Sequence, residues 1–169
     1  MSSSIKEIVE YWSDNADESG LGVGWAEAHE RCWRCGYKKK LEPHPIVPKP
    51  LGGEEGPSNF VLLCHRCQKE APNHTNPDYM WTWLRATSVP LYDTYWLIRG
   101  AEAYEKMFSR KPFVDLDGEQ SSMDLVKDKM KQAFDETVER FGEGGLNPAT
   151  IACIIAELEQ ALEAPKVSE

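Results

Sequence analysis

Apolar residues recur at helical spacing near both ends of this chain and lose that spacing in the middle. In IKEIVEYW, Ile5, Ile8, Val9 and Trp12 form the stripe of an amphipathic helix. The segment DNADESGLGVGW is rich in Gly and Asp and reads as a loop, and a second short helix is expected from Trp25 to Arg31. From Cys32 to about Asn73, turn residues dominate around two short apolar runs. These are KKKLEPHPIVP, a candidate strand ending at Pro48, and FVLLC, with the loop PLGGEEGPSN between them. NPDYMWTWLRA predicts a helix opening near Asn76 with Pro77 in its first position, and residues 91–110 predict another.

The tail has the plainest periodicity. Met123, Val126, Met130, Phe134, Val138 and Phe141 recur every three or four residues and predict one long helix with a single apolar stripe. GEGG stops it. Asn147 then caps a second helix that Pro148 opens, with Ile151, Ile154, Ile155, Leu158 and Leu162 inside. The pair makes an αα-hairpin, joined to the preceding chain by KPFVDLDGEQSS. Its stripe either packs on the rest of the chain or pairs with a second copy, and packing is the preferred expectation. Cys153 is expected as a small buried hydrophobe. Trp81, Trp83, Tyr92, Tyr95 and Trp96 are expected as a core between helices rather than a platform for stacked bases.

A hydrophobic content of 41% with six Trp is enough for a packed interior. No apolar run approaches the roughly 20 residues of a membrane span, and the N-terminus lacks a secretory apolar core. A soluble, cytoplasmic protein without a membrane partner is therefore expected. The net charge of −9 is unevenly spread. Residues 1–112 hold 14 Lys+Arg against 15 Asp+Glu, and residues 113–169 hold 5 against 13. Around the first cysteines, Arg31, Arg34, Lys38, Lys39, Lys40 and Lys49 concentrate positive charge, a patch that either meets phosphates or is simply solvated.

Four of the five cysteines form two C-x2-C pairs, Cys32/Cys35 and Cys64/Cys67, with 28 residues between the pairs. In a reducing compartment such pairs point to metal rather than disulfides. Each pair lets two thiolates reach one ion from a tight turn, and two pairs complete a tetrahedral, structural Zn²⁺ site. Such a site is closed and contributes folding energy rather than reactivity.

Between and after the pairs stand LEPHPIVP, a GG loop, SNFVLLC and CHRCQKEAPN. With CWRC before them, these segments resemble HNH endonucleases, specifically the branch with two zinc knuckles around a ββα-metal, treble-clef-like site. The resemblance covers roughly residues 25–110, and the acidic hairpin has no counterpart in it. It implies an α+β, mostly helical fold. A zinc-stabilised HNH-like domain would occupy residues 1–112, its zinc module about 30–75, and the helical hairpin 113–169. In that family a hairpin histidine is the general base on a water that attacks a phosphodiester. A neighbouring His or Asp and one or two helix histidines hold a catalytic divalent ion, and an Asn orients the base.

On this frame His44 falls at the hairpin metal ligand and Asn59 at the orienting Asn, the two catalytic candidates. Pro45 falls at the general base, Gln68 at the helix ligand and Pro72 at a further ligand. Proline has no proton-accepting side chain, and Gln is a poor metal ligand. His65 and His74 read as surface or packing residues. The scaffold implies a nucleic acid partner, DNA first, met at phosphates by Arg31, Arg34, Lys38, Lys39, Lys40, Lys49, Arg66 and Lys69. Impaired phosphodiester hydrolysis is the leading expectation. Two alternatives remain: an active nuclease using Mg²⁺ or another divalent ion around His44, and a zinc-stabilised protein-interaction module. A homodimer or a protein partner through the C-terminal hairpin is left open.

Overall fold

The computed structural model describes residues 3–15, 21–88, 91–114 and 120–163; parts of the expected loop at 14–25 and linker at 111–122 lie outside these. Within them the fold is α+β and mostly helical, with one two-stranded antiparallel sheet. No helix among the described residues is long and apolar enough to cross a membrane. The chain divides into two compact units, Met1–Tyr95 and Trp96–Glu169. The boundary expected at 112/113 differs from this division in where it puts the helix that precedes it.

In the first unit, α1 (Ile5–Asn15) opens where it does because Ser4 and Glu7 form a capping box. The Ser4 backbone N–H donates to the Glu7 carboxylate at 2.7 Å, and the Glu7 N–H donates to Ser4 Oγ at 3.3 Å. The Ser4 N–H first, and then the Ser4 hydroxyl, which donates to the same carboxylate at 2.8 Å, hold the Glu7 carboxyl below its usual range. Ile8 is buried, and Trp12 Nε1 donates to the carbonyl of Phe60 at 2.8 Å, tying α1 to the sheet.

The sheet pairs β1 (Leu41–Pro45) with β2 (Phe60–Cys64), in a register running from Leu41↔Cys64 to Pro45↔Phe60. The expected strand at 38–48 is shorter at both ends. Lys38 bridges to Arg31 instead, and Pro48 leads into a 3₁₀ turn, Lys49–Leu51. Short α2 (His65–Gln68) follows β2 directly, and α3 (Asp78–Ala86) completes the helices confined to this unit. The helix expected from Trp25 to Arg31 is only a 3₁₀ turn, Trp25–Glu27. The chain leaves it early because the Ala28 carbonyl takes the buried Trp33 indole N–H at 2.9 Å and Arg31 pairs with Lys38.

The second unit holds nearly all of α4 (Tyr95–Phe108), with α5 (Gln120–Phe141) and α6 (Pro148–Glu163). Asn147 caps α6 as the sequence predicts, its Oδ1 accepting the Thr150 N–H at 3.0 Å. Ile151, Ile155 and Leu158 are buried along α6, while on α5 only Val126 of the expected stripe is fully so. Gly100 lets α4 approach α6, since a Cβ there would lie 2.2 Å from Ile151 Cγ2. The Glu159 carboxylate is buried and takes donors from Tyr104 Oη, the Arg110 guanidinium and the Phe113 N–H. Cys153, expected inside, is exposed. It stands two residues from both Ile151 and Ile155, which puts it on the far side of the helix from them.

Candidate metal centre

Two tight turns deliver the four sulfurs. The first begins at Cys32, whose N–H bonds the Tyr37 carbonyl at 3.0 Å while Gly36 N–H returns to the Cys32 carbonyl at 2.9 Å. Gly36 closes this turn at φ +73°, a left-handed conformation that side chains rarely adopt. The second turn joins the end of β2 to α2, with Cys64 at the strand's last position and Cys67 inside the helix. Cys32, Cys35, Cys64 and Cys67 are all buried, and their Sγ atoms lie within 4.8 Å of one another. Cys35 Sγ and Cys64 Sγ are 3.9 Å apart. Four thiolates held tetrahedrally at the usual zinc–sulfur length stand about 3.8 Å apart, so the cluster fits a four-coordinate metal ion.

The surroundings favour thiolates gathered on a cation. The Cys64 backbone N–H donates to Cys32 Sγ at 3.3 Å, a bond that steadies a metal-bound sulfur. Without a positive charge the four groups cannot all ionise. Hydrogen bonding with Cys32 and the other sulfurs holds the Cys64 thiol well below its ordinary range and pushes Cys35 and Cys67 far above it. A divalent ion removes that conflict by deprotonating each ligand. All four positions are protein sulfurs, so the centre is suited to holding structure and has no place for a reacting water.

The two catalytic candidates make no hydrogen bond to each other. Glu42 and His44 share one face of β1 by strand alternation, and Leu41, Pro43 and Pro45 take the other. The first face carries α2, because the Gln68 amide donates to Glu42 Oε2 at 3.3 Å and to the Leu63 carbonyl at 3.4 Å. The His44 Nε2 atom is buried and, among the described residues, has no hydrogen-bond partner. Burial pushes the His44 imidazole below its ordinary value. Asn59 does not reach it. The Asn59 side chain accepts the Val47 N–H and donates to the carbonyls of Val47 and Glu54, each at 2.9 Å. It clamps the 47–54 loop, helped by Gly53, where a Cβ would meet the Val47 carbonyl oxygen at 1.7 Å.

The expected basic patch splits in two. Arg31 and Arg34 are interior residues, with side chains 10% and 4% exposed, and so present no open guanidinium to a phosphate. Arg31 donates to Glu27 Oε1 at 3.2 Å and to the Gly36 carbonyl at 2.8 Å, and lies 3.9 Å over the Tyr92 ring. Arg34 donates to Glu70 Oε2 at 2.7 Å and Thr87 Oγ1 at 3.1 Å, with Trp83 and Tyr95 rings against it. Of the aromatic residues expected as core, Tyr95 and Trp96 are buried; Trp83, Tyr92 and Tyr95 also lie against the two arginines, and Trp81 packs on Trp12 with ring centroids 4.6 Å apart. The exposed cations are lysines. Lys38 binds Glu30 at 2.6 Å, Lys49 binds Glu55 at 2.7 Å, and Lys40 lies 3.8 Å from Glu42. Lys39 and Lys69 are exposed, and Arg66 on α2 is half-buried. His65 is exposed, and His74 packs on the Tyr79 ring while accepting the Asn76 N–H.

Sequence reasoning missed the ion pair of Arg34 with Glu70 and the bond from Gln68 to Glu42. The first lacks a local signal, because its partners are 36 residues apart. The second follows from strand alternation once Glu42 is placed on β1. Comparison of the chain with protein-family models, with curated proteins and with solved structures finds no match.

Proposed function

We propose that the first unit is a zinc-stabilised module of the HNH endonuclease type that contacts nucleic acid through phosphates and lacks an efficient hydrolytic site. Zinc is the metal favoured by four thiolates in a closed tetrahedral set. The order of segments supports the HNH reading: a knuckle, a hairpin, and a helix leaving the second knuckle, with His44 on the face that carries that helix. One observation carries the loss of hydrolysis. The position where the family holds a helix metal ligand bears Gln68, whose amide is bonded to Glu42 and to the Leu63 carbonyl. With Pro45 at the general-base position, the site lacks both a proton acceptor there and the helix ligand for a Mg²⁺-type ion. The phosphate-facing surface in this reading is Lys38, Lys39, Lys40, Lys49, Arg66 and Lys69, without Arg31 and Arg34. Such contacts are sequence-independent and weaken steeply with salt.

The test is nicking of supercoiled plasmid with Mg²⁺, Mn²⁺, Ni²⁺ or Zn²⁺, alongside DNA mobility shifts at low salt. The expected results are a shift and no nicking. Nicking that vanishes in His44→Ala would instead establish an active nuclease with a rearranged site. Absence of any shift would leave a protein-interaction module. Pro45→His combined with Gln68→His restores the two missing groups and should create cleavage; if it does nothing, the alignment of the hairpin is wrong.

A further inference from the structure

The apolar stripe of α5 is only partly covered. Val126 is buried, and Ala133 and Thr137 on its side of the helix are half-buried. At about 100° per residue, Met123, Met130, Phe134 and Phe141 lie on the neighbouring flank. There Met130 and Phe134 are half-buried, while Met123 is 42% exposed and Phe141 73%. A shallow groove of about 270 Å³ opens on the same flank, lined by Lys127, Met130, Lys131, Phe134 and Asp135, all from α5.

The flank is its own complement. Met130 and Phe134 stand equally far from Gln132 on either side, and so do Met123 and Phe141. An antiparallel second copy, related by a two-fold axis at Gln132, therefore sets Met130 against Phe134 of the partner subunit and Met123 against Phe141 of the partner subunit, each contact occurring twice. Met123 to Phe134 and Met130 to Phe141 each span eleven residues, three turns at about 3.67 per turn, so nearly straight helices keep this register. Charge follows the same symmetry. In an antiparallel pair, residues on one flank meet residues on the same flank. Asp135 of the partner subunit then falls midway between Lys127 and Lys131. All five groove residues are thereby used, with acid against base and ring against thioether.

We infer that the protein associates with a second copy of itself through this flank of α5, antiparallel about Gln132. The inference is independent of the nucleic acid reading. Its test is the mass of the full metal-loaded chain by sedimentation across a concentration series. The wild type should move from 19.2 kDa towards twice that mass. Asp135→Lys places three lysines in each half of the contact, and Lys127→Asp with Lys131→Asp places three aspartates. These positions are exposed, so circular dichroism should show unchanged helix in both variants. Each variant alone should dimerise at least about tenfold more weakly than wild type. Mixed, the two should recover a dimer containing one of each. A wild type still monomeric near about 1 mM overturns the proposal. A dimer indifferent to the charge changes, or a mixture that stays monomeric, overturns this surface and register.

Discussion

Replacing Arg34 with alanine should cost the first unit much of its stability. The side chain is 4% exposed, and its guanidinium donates to Glu70 at 2.7 Å and to Thr87 at 3.1 Å. A hydrogen bond to a charged group contributes about 1.5–3 kcal/mol. The ring of Trp83, 4.2 Å from the Arg34 guanidinium carbon, adds about 0.5–2 kcal/mol. Glu70 is partly solvated, so its orphaned carboxylate regains water and softens the loss. The buried stem leaves a cavity in return. Together these come to about 3–5 kcal/mol, the range found when a buried ion pair loses one partner. Urea unfolding of the metal-loaded protein, followed by tryptophan fluorescence, measures it directly. Arg34→Lys keeps the charge but loses the planar stack and the second donor, and should cost about half as much. The discriminating result comes from pairing this with DNA retention at low salt. An Arg34→Ala protein within about 0.5 kcal/mol of wild type, yet with weakened retention, would make Arg34 a phosphate contact and refute its interior role.

Three further outcomes follow from the same geometry. The purified protein should carry one zinc ion per chain by elemental analysis, and Cys64→Ser should lose the metal and the cooperative unfolding transition, since the ion's binding energy, about 10 kcal/mol or more in comparable small sites, is folding energy. Gly53→Ala should destabilise by about 2–4 kcal/mol in the same urea assay, because its Cβ would lie 1.7 Å from the Val47 carbonyl oxygen; an unchanged midpoint would show that the loop yields freely. Burial depresses the His44 imidazole below 6.5, so the unfolded chain takes up a proton where the folded chain does not. Stability is then full above about pH 6.5 and falls as pH drops towards the folded value, and His44→Phe should show a shallower acid loss than wild type; parallel curves would contradict the burial.

What was legible in the sequence was mostly local. The C-x2-C spacing specifies a turn that presents two sulfurs, so the four-cysteine cluster is legible in the sequence. The tail helices announced themselves through periodicity and the Asn147-Pro148 start. Cationic residues were not separable in this way. Arg31 and Arg34 stand beside Lys38, Lys39 and Lys40 in a single run of positive charge, yet their fate depends on Trp83, Thr87, Tyr92 and Tyr95 far along the chain. A guanidinium with its flat face and several donors can be satisfied among rings and carboxylates. The lysines, on the strand side of the knuckle, remain at the surface. Cys153 failed differently. Its helical phase, opposite Ile155, is present in the sequence and decides its exposure over residue type.

The hairpin register bears on the meaning of Pro45 itself. Ladder positions in an antiparallel pair alternate between those that exchange backbone hydrogen bonds and those that do not. The Ile46 N–H bonds the Asn59 carbonyl at 2.8 Å, which fixes Ile46, His44 and Glu42 in the bonded class. Leu62, opposite Pro43, turns its carbonyl away from β1 to the Trp33 N–H at 3.0 Å. Pro43 and Pro45 therefore occupy positions whose N–H would point off the ladder, the one place where a strand carries proline without losing a bond. The fold neither requires proline at 45 nor suffers from it. A histidine introduced there should leave the sheet intact, so a failure of Pro45→His to cleave could not be blamed on a broken hairpin. The same neutrality removes strand architecture as the reason for the proline.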